Sequence, residues 1–136
     1  MTELKRGDIV LVYYPLISTG LSERKLRPAV IVQCDKNNLR LNDVILIPLT
    51  SKTKEKSEET HTFISKNSPE GIKAGISLDS VIKAETILTL PKSFICKKIG
   101  HLPSSVIKKV NKCLAFSIQL NINNPSNPQS QIPNIR

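Results

Sequence analysis

The run Ala29-Val30-Ile31-Val32 decides the fold, together with Ile9-Val10-Leu11-Val12-Tyr13-Tyr14 before it and Val44-Ile45-Leu46-Ile47 after it. Each is short, rich in β-branched residues and bounded by Gly, Pro, Asn or Asp, which favours strands over helical segments. Their apolarity is continuous rather than alternating. Such strands bury both faces, as in a small closed barrel or a sheet with a covered back.

Outward from these runs, Pro15 to Leu26 reads as a loop long for a simple hairpin, the kind that often carries function. Ser51 to Thr60 reads as a charged, polar connection, and Thr62-Phe63-Ile64 as a further short strand. Gly71-Ile72-Lys73-Ala74-Gly75 is expected to be a turn, and Ile76 through Leu90 strand material interrupted near Ala84-Glu85. From Ser104 the period changes. Ile107, Val110, Leu114 and Ile118 recur at helical spacing, so a helix is predicted over about Ser105 to Gln119, behind the start signals Pro103 and Ser104. Lys108, Lys109 and Lys112 then form its solvated face. The stretch 121–136, rich in Asn, Pro, Gln and Ser, is expected to be a disordered tail after a single domain over 1–120. The fold class is thus mainly β with one C-terminal helix.

The 136 residues suffice for one core without metal or disulfide. Three cysteines, Cys34, Cys96 and Cys113, form no CxxC pair and read as small buried apolar residues of a reducing cytoplasm. No secretory h-region precedes the first strand, and no apolar stretch nears the roughly 20 residues that span a bilayer. A soluble cytoplasmic protein is expected. The formal charge of +9, from 20 Lys and Arg against 11 Asp and Glu, points to a polyanionic partner, either nucleic acid or an acidic protein segment. With only two Tyr, three Phe and no Trp, a broad base-stacking platform is disfavoured.

Several segments, in order, resemble the MazF/PemK family of bacterial toxins: Lys5-Arg6-Gly7-Asp8-Ile9-Val10-Leu11-Val12, Lys25-Leu26-Arg27-Pro28-Ala29-Val30-Ile31-Val32, and Val44-Ile45-Leu46-Ile47-Pro48-Leu49-Thr50-Ser51. Gly75-Ile76-Ser77-Leu78-Asp79-Ser80 and Lys98-Ile99-Gly100-His101-Leu102 are similar to two later signatures. The resemblance spans about residues 4 to 120. It implies an SH3-like small barrel of the MazF/CcdB type, usually a homodimer, that cleaves single-stranded RNA without metal or cofactor and is silenced by a cognate acidic antitoxin.

Such cleavage uses the ribose 2′-hydroxyl as nucleophile, so the protein must stabilise the charge of the phosphorane and manage proton transfers. Arg27 offers a fixed fork of donors at a loop–strand junction and matches the family's catalytic arginine. Its plain alternative is a surface salt bridge. Thr50 matches the catalytic threonine, though it and Ser51 would equally serve to cap a turn. Arg24, Lys25, Ser51 and Lys83 are the expected RNA contacts. In the PemK/Kid branch an Arg and an Asp on a later strand complete the site; here Lys83-Ala84-Glu85 keeps the charges and changes both residues, leaving Glu85 as a candidate base. His61 and His101 read as structural. Two other readings remain open: a CcdB-like gyrase poison, and a degenerate RNA-binding barrel without activity.

Overall fold

The computed structural model describes residues 3–121. Apart from Asn121, the expected disordered tail lies outside the described residues. The three deciding runs are strands β1 (Asp8–Pro15), β2 (Arg24–Ile31) and β3 (Asp43–Thr50), joined as an antiparallel meander. Then come β4 (His61–Ile64), β5 (Ser80–Lys83), β6 (Leu88–Pro91) and β7 (Ile95–His101). The helices are α1 (Asp35–Arg40), α2 (Pro69–Ala74) and α3 (Ser104–Ser117).

Both faces of the meander are buried, as continuous apolarity requires. Ile9, Val30 and Ile47 pack with Leu49, Ile82, Val106 and Val110 on the side of α3. Val10, Val12, Ala29, Ile31, Val44 and Leu46 pack on the other side with Leu90 and Ile95. The strand path runs β4-β5-β3-β2-β1-β7, with β6 added to β3. The path is open: β4 and β7 are its two ends, and among the described residues no ladder joins them. The barrel-like wrap therefore lacks the hydrogen-bonded seam of a fully closed barrel.

Several expectations need correction. The segment expected as a turn at Gly71–Gly75 is mostly helix α2. Ser68 caps it by accepting from the Gly71 N–H at 3.0 Å, Pro69 opens it, and Gly75 closes it in the left-handed conformation. Helix α1 was not read at all, because its buried anchor is polar: Asn38 bonds to Gln33 through both its amide oxygen and its amide nitrogen. Residues 76–79 precede β5 as loop. On α3 the buried positions are Val106, Val110, Cys113 and Ala115, whereas Ile118 is exposed. Cys34 and Cys96 are exposed, and Cys113 is the buried one.

Asp8 anchors the first strand to the last. Its carboxylate has no solvent exposure and accepts from the Lys5 N–H at 2.8 Å. Lys98 Nζ at 3.1 Å and His101 Nδ1 at 2.7 Å, both on β7, also face it. Removing the partners strands a buried charge, which costs more than removing the charge itself. Lys98→Ala/His101→Ala is therefore expected to lose about 3–5 kcal/mol in urea unfolding. Asp8→Asn should lose less; the reverse order contradicts this account.

Candidate nucleic-acid interface

A concavity with a volume of about 440 Å³ lies where β2 begins and β3 ends. One wall is the start of β2, where four consecutive residues, Lys25, Leu26, Arg27 and Pro28, line it. A strand that shows successive residues to one cavity is running along its rim. The end of β3 and the residues after it contribute Leu49, Thr50, Ser51 and Lys52. The opposite wall is Gly75 to Leu78, and the strand face beyond holds Leu11, Lys97 and Ile99.

That opposite wall exists because two glycines let backbone meet backbone. Gly75 lies at φ 73°, and a Cβ there would overlap the Ile99 carbonyl. A Cβ at Gly100 would overlap the carbonyl group of Ala74. These contacts seat the end of α2 on β7 and turn Ile76-Ser77-Leu78 into the cavity. The turn is held further by Ser80 Oγ donating to the Leu78 carbonyl at 2.8 Å and by the Lys66 N–H donating to Asp79 Oδ1 at 2.9 Å.

Four cations, Lys25, Arg27, Lys52 and Lys97, line the cavity, and no carboxylate does. Arg27 is half-buried and forms no ion pair among the described residues. Its guanidinium stands 6.0 Å from the centre of the Tyr14 ring. Burial pushes the Tyr14 phenol up, and the nearby charge of Arg27 pulls against that rise. The salt-bridge alternative for Arg27 is thus not what the structure contains. Thr50 Oγ1 accepts the Lys52 N–H at 3.1 Å, which occupies a lone pair and leaves its hydroxyl hydrogen for another acceptor. Turn-capping and phosphate contact are compatible roles for this one hydroxyl.

The structure gathers Arg27, Thr50, Lys25 and Ser51 and leaves three expected site residues outside the lining. Arg24 stacks over Phe94 at 4.1 Å. Lys83 lies 3.9 Å from Glu85. Glu85 itself meets His61 Nε2 at 3.0 Å, away from the cavity. Burial opposes ionisation of Glu85, but hydrogen bonds from His61, from its own backbone and from Thr60 outweigh it and hold the carboxyl below its usual range. Lys52, Lys97 and Ser77 were missed. Lys97 follows from pairing β7 with β1, where it stands opposite Leu11. Among the described residues no group of three or more His, Cys, Asp and Glu gathers at one point, and no helix is long and apolar enough to cross a membrane.

Comparison with known proteins supplies the family. Residues 5–118 match the family described as PemK-like, MazF-like toxin of type II toxin-antitoxin systems, and the chain belongs to that family. It is 31% identical over 117 residues to the endoribonuclease MazF of Staphylococcus saprophyticus, covering 86% of this chain and 92% of the relative. Identity to the endoribonuclease EndoA of Bacillus subtilis is 30% over 119 residues, covering 86% and 96%. Among solved structures, a mycobacterial endoribonuclease in complex with its cognate antitoxin superposes with a TM-score of 0.67 at 21% identity, covering 87% and 97%. MazF of Deinococcus radiodurans gives 0.68 at 16%, covering 88% and 99%. At those identities the structural likeness speaks for the fold.

Because Gly100 has no room for a side chain, Gly100→Ala is expected to separate α2 from β7 and open the Gly75–Leu78 wall. Amide hydrogen exchange should rise across residues 71–80, with a stability loss of about 1–3 kcal/mol. Unchanged exchange there would show that the wall does not depend on this contact.

Proposed function

We propose that this chain is an endoribonuclease toxin that cuts single-stranded RNA in the cavity beneath Arg27 and Thr50. The observation that carries the reading is the lining itself: four cations, one of them a half-buried arginine with no ion pair among the described residues, and no acid. A phosphodiester seated there finds charge compensation, and its backbone contributes the sequence-independent part of affinity. Attack by the 2′-hydroxyl on the adjacent phosphorus forms the new P–O bond as the bond to the 5′-oxygen breaks. The products are a 2′,3′-cyclic phosphate and a free 5′-hydroxyl. Arg27 is suited to the two non-bridging oxygens of the phosphorane, whose extra charge its fork of donors matches. Thr50 donates its hydroxyl to the same phosphate and orients it, while Ser51, Lys25, Lys52 and Lys97 hold flanking phosphates. DNA lacks the nucleophile and is not a substrate for this chemistry.

The reading asks the site for charge stabilisation and for passage of a proton from the 2′-hydroxyl to the departing 5′-oxygen, and for no metal. Glu85 takes no direct part, because its carboxylate is committed to His61. Relatives named as endoribonucleases, and a neighbour solved with its cognate antitoxin, support an antitoxin partner, and the cationic lining suits an acidic segment of it. A homodimer acting in the cytoplasm completes the proposal, with sequence preference set by the side chains around the cavity rim.

Incubation with a long single-stranded RNA in EDTA tests it. The wild-type protein should yield discrete fragments ending in 2′,3′-cyclic phosphate. Arg27→Ala and Thr50→Ala should each lower the rate by about 10²–10³ while leaving the fold intact. Intact RNA from folded wild-type protein would favour the gyrase-poison or inactive RNA-binding reading, and cleavage surviving both substitutions would move the site elsewhere.

A further inference from the structure

His61 is buried, with its side chain 3% exposed, and the proposed reaction does not use it. Both ring nitrogens face oxygen. Nδ1 lies 2.7 Å from the Glu55 carbonyl, and Nε2 lies 3.0 Å from Glu85 Oε2. A carbonyl can only accept, and an ionised carboxylate can only accept. A neutral imidazole has one N–H, so its other nitrogen would set a lone pair against an oxygen at contact distance. Only the imidazolium satisfies both bonds.

The loop between β3 and β4 is tied to the body at a few points, and this ring makes the one at Glu55. Residues 51–59 are mostly exposed and make short local turns, such as Glu58 N–H to the Glu55 carbonyl at 3.1 Å. The middle of the loop is tied to the body by the Glu55–His61 bond and by the Lys56 ammonium 4.7 Å from the Phe63 ring centre. Its far end is tied by the Ala84 N–H donating to the Thr60 carbonyl at 2.9 Å. The near end of the same loop is Ser51-Lys52, which lines the cavity.

We propose that His61 is a positioning residue and a proton-operated latch: as imidazolium it clamps the loop 51–60 between the Glu55 carbonyl and Glu85, which holds Ser51 and Lys52 at the cavity, and on deprotonation it releases them. The consequence for RNA rests on the nuclease reading; the latch itself does not.

The charged surroundings favour the clamp. Burial of the ring works against its charge, but the hydrogen bonds to Glu85 and Glu55 and the attraction of Glu85 outweigh it, with Lys83 opposing, so the pKa is raised above the ordinary 6.5. From α3 the nearest group is the Cys113 thiol, 3.6 Å from the His61 carbonyl. The sign follows from linkage. A raised folded pKa means that the contribution of His61 to stability is fully present below about pH 6.5 and is lost as pH rises through the folded value. The contribution of Glu85, whose pKa is depressed, is present above its ordinary 4.5 and is lost as pH falls through its folded value. The clamp is closed between the two.

The test combines ring ¹⁵N shifts of His61, amide exchange of residues 51–61 corrected for intrinsic rate, and RNA cleavage kinetics over about pH 5.5 to 9. Wild type, His61→Gln and Glu85→Gln are compared, the last altering a partly exposed carboxylate that a fold tolerates. In the wild type both ring nitrogens should carry protons at pH 7, and loop protection should fall above the folded pKa. Glu85→Gln should move that loss to lower pH, and both variants should raise KM by about tenfold at neutral pH with kcat less affected. A neutral His61 at pH 7, or loop protection indifferent to Glu85→Gln, overturns the latch. An unchanged KM in a variant whose loop has loosened overturns its role in positioning. If wild-type protein cuts no RNA, the nuclease reading fails, and the ring shifts and exchange still decide the latch.

Discussion

Strand β3 is shared between two sets of partners, and the architecture depends on that division. One edge pairs with β2 from Leu46 to Pro48. The other edge pairs with β6 over Asp43 to Leu46 and then with β5 at Leu49 and Thr50. The changeover falls at Ile47 and Pro48, and Pro48 has no N–H to leave unpaired where one partner stops and the next begins. The division lets one strand support both cores. It also delivers Thr50 to the last paired position, opposite Val81, where the chain leaves the sheet for the loop.

Function grows out of that ending. Arg27 sits two residues beyond the part of β2 that β3 covers, opposite Val12 of β1. Arg27 and Pro28 are half-buried between the buried run Ala29 to Ile31 and the exposed run Arg24 to Leu26, so the guanidinium stands at the boundary between core and solvent. A cation there is partly desolvated and still reachable, and its attraction for a phosphate is stronger than that of a freely hydrated lysine. The other wall is brought up by the glycine contacts of α2 on β7. The cavity is thus assembled by separate chain segments from β1, β2, β3, β7 and the turn after α2, fixed mostly by packing that has nothing to do with RNA. The loop 51–60 is the exception, since it is held by a few polar bonds around one histidine.

Much of this was legible in the residues. Continuous apolar runs gave the buried meander, and the change of period gave α3. That Arg27, Thr50 and Ser51 share a cavity was foreshadowed by their place at strand ends and the family resemblance, and Lys25 by its place in the loop beside Arg27. The short helices were not found because six residues with a polar or exposed face leave no period to read, although Ser68-Pro69 and Gly75 carried the capping signal. Lys97 was missed because β7 has little apolar patterning: Cys96, Lys97 and Lys98 are all exposed. Grouping Lys83 and Glu85 with the site relied on their keeping the charges of an Arg and an Asp on a later strand in the PemK/Kid branch. The fold instead pairs β5 with β4, so Lys83 lies opposite His61, and Glu85 is drawn to that histidine. His61 read as structural because a lone histidine in a sequence shows nothing of the two oxygens that meet its ring.

The most direct test of the central claim is to map where RNA sits, independently of cleavage. Titrating isotope-labelled protein with a short oligonucleotide carrying 2′-deoxy sugars, which cannot react, would report binding by amide and side-chain chemical shifts. The account predicts changes confined to the cavity: the Arg27 guanidinium, Thr50, Ser51, Lys97 and the wall from Gly75 to Leu78. Shifts centred instead on Lys83 and Glu85, or on the exposed lysines of α3, with the cavity silent, would contradict it.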